Sequence, residues 1–159
     1  MKKEFISSSS TQTKKLGGSL AREILKKRFK KTAFVIGLEG ELGGGKTTFL
    51  QGFAKGLGIK QKILSPTFVI MKKFSMKRNR VPFARKGTRF LFQNFYHLDC
   101  YKIQKPKELL ALGFKEIISD SQNIVAIEWA DKIKKIMPEN TLWINFDFID
   151  EKKRKISIC

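Results

Sequence analysis

The stretch TAFVIGLEGELGGGKTT, residues 32–48, decides the fold. Its first half holds an apolar run, AFVIGL at 33–38, with the look of a strand buried on both faces. Four glycines then fall within nine residues, GELGGGKTT at 40–48, and end on Lys-Thr-Thr. Glycine costs conformational entropy wherever its freedom is unused, so the cluster needs a geometric reason. Gly40-Glu41-Leu42-Gly43-Gly44-Gly45-Lys46-Thr47 matches the phosphate-loop pattern G-x-x-x-x-G-K-[ST] at each fixed position. A backbone that wraps two phosphates has to turn tightly and aim successive N–H groups inward, and glycine permits both. Behind the loop, Phe49, Leu50, Phe53, Ala54 and Leu57 recur at helical spacing, with Gly56 and Gly58 as terminators. Strand, glycine loop and helix form the context that the pattern requires. Nucleotide binding is therefore expected. Lys46 would reach the β- and γ-phosphates, the Thr47 hydroxyl would ligate Mg²⁺, and the helix would add the positive end of its dipole.

Working outward, Leu16, Leu20, Ala21, Ile24 and Leu25 predict an amphipathic helix over 13–27, with the serines at 7–10 and Thr11 as possible N-caps. SPTFVIMKKF (65–74) reads as a Ser-Pro turn running into a strand, and RFLFQNFYHLDCY (89–101) as a second, aromatic strand. PKELLALGFKEII (106–118) reads as a helix opened by Pro106 and ended by Gly113. NIVAIEW (123–129) predicts a short apolar strand, and DKIKKIMP (131–138) a short basic helix stopped by Pro138. TLWINFDFI and RKISI alternate around the turn DEKK, a hairpin signal. With no internal repeat and no dividing linker, residues 1–159 read as one α/β domain. Its expected form is a mixed, phosphate-loop-type sheet flanked by helices, with a C-terminal antiparallel hairpin.

A 42% hydrophobic content with 14 Phe argues for a folded globule, and no run approaches the roughly 18 apolar residues of a membrane span. MKKEFISSSSTQ has no apolar stretch of signal-peptide length. Cys100 and Cys159, the only cysteines, have no metal-like spacing, so a reducing cytoplasm is the expected location. The charge of +19 would attract any polyanion, although lysines scattered along the whole chain also fit a generally basic composition. Residues 71–89, MKKFSMKRNRVPFARKGTR, depart from that scatter: they are dense in Lys and Arg and hold no acid. They read as a basic insertion, either merely solvated or resting on nucleic acid or an acidic partner.

Nucleotide hydrolysis needs a carboxylate near the metal, at the end of a neighbouring strand. Asp99 follows FLFQNFYHL and Glu128 follows NIVAI, so each could hold the metal or orient the attacking water. Thr67 in SPTF could sense the γ-phosphate, as switch threonines do. Trp129 either packs over the site or belongs to the core. His97, the single histidine, sits among aromatic residues and reads as a packed, hydrogen-bonded core residue.

Four blocks in order, GELGGGKTT, SPTF (65–68), YHLDCYK (96–102) and IEWADK (127–132), resemble the bacterial TsaE family of small phosphate-loop ATPases. ELLALGF (108–114) adds to the resemblance, which covers roughly residues 10–158. It implies an Mg²⁺-dependent ATPase, weak alone, that acts with the TsaD and TsaB proteins in forming threonylcarbamoyladenosine in tRNA. Carried onto this chain, it gives Lys46 and the loop residues Gly40, Leu42, Gly43, Gly44, Gly45 and Thr48 to ATP. Thr47 and Glu128 go to Mg²⁺, and Asp99 to the acidic position needed for turnover. Thr67 lies in a switch-like loop and Trp129 beside the metal, while Ser10, Thr13 and Lys152 approach the base. Lys102 stands where the family has Arg, Ala130 where a proline is common, and the stretch between SPTF and YHLD is longer and more basic than usual. Two other readings stay open. One is a metabolite kinase using arginines at 78, 80, 85 and 89 as a lid, and the other is a nucleic-acid binder whose affinity nucleotide switches.

Overall fold

The computed structural model describes residues 2–26, 31–65, 69–76 and 92–159. Seven strands make one sheet in the order β1-β7-β6-β2-β5-β4-β3. They are β1 (Lys3–Ser7), β2 (Phe34–Gly40), β3 (Met71–Ser75), β4 (Asn94–Asp99), β5 (Asn123–Glu128), β6 (Leu142–Phe148) and β7 (Arg154–Ile158). The central strands β6, β2, β5 and β4 run parallel, β3 is antiparallel to β4 on one edge, and on the other β7 is antiparallel to both of its neighbours, β6 and the edge strand β1. The mixed sheet and the C-terminal hairpin expected from the sequence are both present.

The inner parallel strands β2 and β5 are largely buried on both faces because helices cover both. Helices α1 (Ser10–Lys26) and α2 (Lys46–Gly56) pack with Ile36, Leu38, Phe95, Ile124 and Ala126 on one side. Helices α3 (Pro106–Leu110) and α4 (Phe114–Ser119), with a 3₁₀ helix at Ala130–Ile136, cover Val35, Leu98, Val125 and Ile127 on the other. Aromatic side chains anchor α2: Phe49 meets Phe146 edge-on at 5.6 Å, and Phe53 meets Phe95 at 5.8 Å. Each such ring taken out of water contributes roughly 1.5–3 kcal/mol.

Helix α2 is pinned from above as well. A Cβ on Gly17 would lie 2.2 Å from the Phe49 carbonyl oxygen, and one on Gly52 would lie 1.9 Å from that of Lys14. The two helices therefore touch backbone to backbone, and only glycine fits between them.

Three elements differ from the sequence reading. The segment 106–118 is two short helices, because the first ends at Leu110 and Gly113, at φ 81°, starts the second. The aromatic strand β4 is confined to Asn94–Asp99. Strand β1 had no sequence signal: its side chains are exposed except Ser7, and only pairing with β7 makes it a strand. Of the basic segment 71–89, residues 71–75 form β3, and the part from 77 onward lies outside the described residues. Among the described residues no helix is long and apolar enough to cross a membrane.

Substituting Gly52→Ala should force α1 away from α2 and cost about 1–3 kcal/mol, read as a lower denaturant midpoint. In Gly43→Ala the new methyl meets no atom within 4 Å. Only its φ of 73° opposes the change, so that variant should lose less.

Candidate nucleotide and metal site

The loop between β2 and α2 is built by backbone geometry that side chains would block. Gly40, Gly43 and Gly45 have φ of 136°, 73° and 100°. A Cβ on Gly40 would stand 2.4 Å from the Phe146 carbonyl oxygen, and one on Gly44 would stand 2.9 Å from that of Glu41. The Gly44 N–H closes the turn onto the Glu41 carbonyl at 3.0 Å. The first bond of α2 is Phe49 N–H to Gly45 C=O at 2.8 Å. The N–H groups of Gly45, Lys46, Thr47 and Thr48 are thus not used by the helix, which is the donor array an anion takes. Leu42 is exposed at the loop tip, and Thr48 is half-buried in the first turn.

Lys46 is buried, with its ammonium inside the loop. It donates to the carbonyls of Gly40 at 2.6 Å and Glu41 at 2.9 Å, and lies 4.0 Å over the Trp129 ring. Burial lowers its pKa below the ordinary lysine value, while Glu128, Asp99, Asp131 and Glu41 oppose that shift. Among the described residues, Trp129 alone outside glycine has a positive φ, 58°. The left-handed turn directly after β5 lets its ring lie over Lys46 and against Tyr101, at 5.0 Å. Strain of this kind persists where the surroundings over-determine it.

Glu128 is 2% exposed, and the Thr47 hydroxyl donates to both of its oxygens, at 3.0 and 2.8 Å. His97, 1% exposed, meets Oε1 through Nε2 at 2.8 Å. A carboxylate only accepts, so that nitrogen carries the proton. Strand register explains the encounter: His97 lies opposite Ala126, and Glu128 sits two residues further along the same face. Asp99 is opposite Glu128 itself. Its Oδ2 accepts the Ser65 hydroxyl at 2.8 Å, and its Oδ1 accepts the Tyr101 N–H at 2.9 Å. Sequence reading placed His97 correctly as a buried, hydrogen-bonded residue, but nothing in the sequence identified its partner.

The N-terminal segment and the late turn also meet the loop. Ser10 opens α1 at the surface, whereas Thr13 is buried, with its hydroxyl 2.7 Å from that of Ser7. The Thr13 methyl faces Gly45, 3.8 Å from where a Cβ there would stand. Lys152 lies in the exposed β6–β7 turn, its backbone N–H on the Asp150 carboxylate. Just beyond that turn, Arg154 at the start of β7 reaches the Gly43 carbonyl at 3.3 Å and packs over Phe148, a contact without any local sequence signal. Thr67 lies outside the described residues.

Do these groups suit a nucleotide and Mg²⁺? Among the described residues no three His, Cys, Asp or Glu side chains gather as a metal cage. Mg²⁺ is ordinarily held by one or two protein oxygens together with substrate phosphates and water. The touching Thr47 hydroxyl and Glu128 carboxylate, beside a glycine cradle, are a donor set of that kind.

A family profile described as "Threonylcarbamoyl adenosine biosynthesis protein TsaE" matches residues 7–156. The chain belongs to the TsaE family. The relatives it resembles carry the name tRNA threonylcarbamoyladenosine biosynthesis protein TsaE. The one from Bacillus subtilis is 36% identical, covering 81% of this chain and 71% of the relative. That from Haemophilus influenzae is 29% identical, covering 84% and 75%. The crystal structure of Bacillus subtilis YdiB superposes with a TM-score of 0.68 at 26% identity, covering 99% of this chain and 84% of that one. The YdiB likeness confirms the fold class expected from TAFVIGLEGELGGGKTT.

Two outcomes follow from this geometry. His97→Phe should leave buried Glu128 with the Thr47 hydroxyl alone and cost about 1–3 kcal/mol, measured by denaturant unfolding. His97→Gln, which keeps an N–H donor, should lose less. Burial pushes the Cys100 thiol up to about 12, so it carries no thiolate near neutrality. A maleimide reagent should therefore modify the native protein at exposed Cys159 and reach Cys100 only after unfolding.

Proposed function

We propose that the protein is a cytoplasmic Mg²⁺-dependent ATPase that serves the formation of threonylcarbamoyladenosine in tRNA together with TsaD and TsaB proteins. The observation that carries the ATPase reading is the Thr47–Glu128 pair at the start of α2, directly under the glycine loop. Membership of the TsaE family supports the pathway and the partners.

In this reading the loop amides and Lys46 grip the β- and γ-phosphates. The Lys46 ammonium exchanges its two carbonyl acceptors for phosphate oxygens, so its donors stay satisfied. Thr47 and Glu128 would hold Mg²⁺, which when bound neutralises charge on the same phosphates. His97 is a positioning residue that keeps the Glu128 carboxylate turned toward Thr47. Asp99, itself held by Ser65 and the Tyr101 amide, stands on the adjacent strand end to accept a hydrogen bond from the attacking water. Trp129 walls the site beside Lys46. Water would add to the γ-phosphorus and ADP would leave; the ATP cycle then resets or licenses the partner complex. The arginines on which the kinase reading rests, at 78, 80, 85 and 89, lie outside the described residues.

The test is ATP turnover by the purified protein, alone and with TsaD and TsaB. Slow turnover that rises with the pair is expected. Lys46→Ala should abolish it. Glu128→Ala and Asp99→Asn should lower kcat by about 10²-fold or more while ATP binding falls far less. Unchanged turnover and affinity in Lys46→Ala would remove the phosphate-loop assignment.

A further inference from the structure

A groove of about 1060 Å³ runs between α1, α2 and the segment that follows α2, on the sheet face that also carries the nucleotide loop. Among the described residues its cationic lining is Lys14, Lys15, Arg22, Lys55, Lys60 and Lys62, and no Asp or Glu lines it. All six side chains are exposed, and among the described residues none is paired with a carboxylate; Arg22 donates only to the Ser19 hydroxyl. Between these cations lie Gly18, Gly52 and Gly56, where the two helices meet backbone to backbone. At these glycines no side chain intervenes, so a ligand's charged backbone can approach the helices closely between the cations; Thr11, Gln51, Ile59, Gln61 and Ile63 complete the described lining with Gly58.

General basicity does not account for this. The opposite helical layer is equally rich in lysine, yet there Glu108, Glu116, Asp120, Asp131 and Glu139 are interleaved with Lys105, Lys107, Lys115, Lys132, Lys134 and Lys135. Among the described residues the groove lining holds no such acid, and Glu23, the acid of α1, is exposed but stands outside that lining. Several like charges around a shallow trough repel one another unless a polyanion lies among them. A run of phosphodiesters can meet cations from α1, α2 and the segment after α2 together.

We infer that this groove binds the phosphodiester backbone of RNA. That it binds a polyanion rests on the groove alone; the choice of RNA rests on the tRNA-modification reading above. The contacts are with phosphate and carry no base information, so binding is expected to be salt-dependent and weakly sequence-selective.

The experiment measures binding of a transcribed tRNA to the full-length protein by fluorescence anisotropy across a KCl series. Two triple variants lose the same charge: Lys14→Gln/Lys55→Gln/Lys62→Gln in the groove, and Lys107→Gln/Lys115→Gln/Lys135→Gln on the opposite face. Each lysine lost from a phosphate contact should reduce the slope of log K against log salt by about 0.7–0.9. The groove triple should thus bind about tenfold or more weakly at low salt with a slope smaller by about 2, and the control triple should stay within about twofold. Basal ATP turnover and melting temperature should be unchanged in both, so a failure here is distinct from a failure of the ATPase assignment. Equal losses in the two triples would mean diffuse attraction by net charge and would overturn the inference. Equally tight binding of a duplex DNA of matched length would overturn the assignment to RNA. Groove variants that keep tRNA affinity but lose stimulation by TsaD and TsaB would also overturn it, because the occupant would then be an acidic protein surface.

Discussion

A carboxylate buried at the C-terminal end of a central strand is the constraint around which this molecule is arranged. Glu128 has almost no exposure, and an ionised group in that position is costly unless partners surround it. Its partners come from two different elements. Thr47, at the start of α2, contributes a hydroxyl, and His97, on β4, contributes a ring N–H. To satisfy one side chain, the first turn of α2 has to sit over the end of β5, and β4 has to lie beside β5 in one particular register. The two bonds from Thr47 join the end of the glycine loop to the sheet and the bond from His97 ties β4 to β5, so the requirement of stability and the geometry of the site coincide.

The second support is steric. Helix α2 is anchored below by Phe49 and Phe53 among other aromatic rings, and is held above by a glycine contact with α1 too tight for any side chain. Helix α1 in turn follows β1, which is a strand only because β7 pairs with it. The N-terminus, the C-terminal hairpin and the glycine loop are in this way parts of one packing unit, with Thr13 against Gly45 and Arg154 at Gly43 as the points of contact. Sequence ends far apart along the chain converge on one loop.

Charge is distributed by layer. On the face of α3, α4 and the 3₁₀ helix, acids and lysines are mixed, so the field there is small beyond a Debye length. On the face of α1 and α2 six cations line a trough with no acid among its described lining residues, Glu23 of α1 standing outside it. Composition alone reported a net charge of +19 and could not say where it was concentrated. The six groove cations come from two stretches far apart in sequence, 14–22 and 55–62.

What the sequence by itself determined was local in its physics. Glycine spacing at 40–45, the apolar run before it and the helical repeat after it are each set by neighbours a few residues away, so a strand, glycine loop and helix in an α/β sheet were readable directly. Asp99 and Glu128 were also legible, as acids at the ends of apolar runs. Only the tertiary structure decided that Glu128 takes the Thr47 hydroxyl from 81 residues away, that His97 is its other partner, and that Arg154 meets the loop. It alone made a strand of Lys3–Ser7 and split 106–118 into two helices. Those outcomes depend on strand order and register, which bring together residues whose sequence neighbourhoods carry no trace of one another.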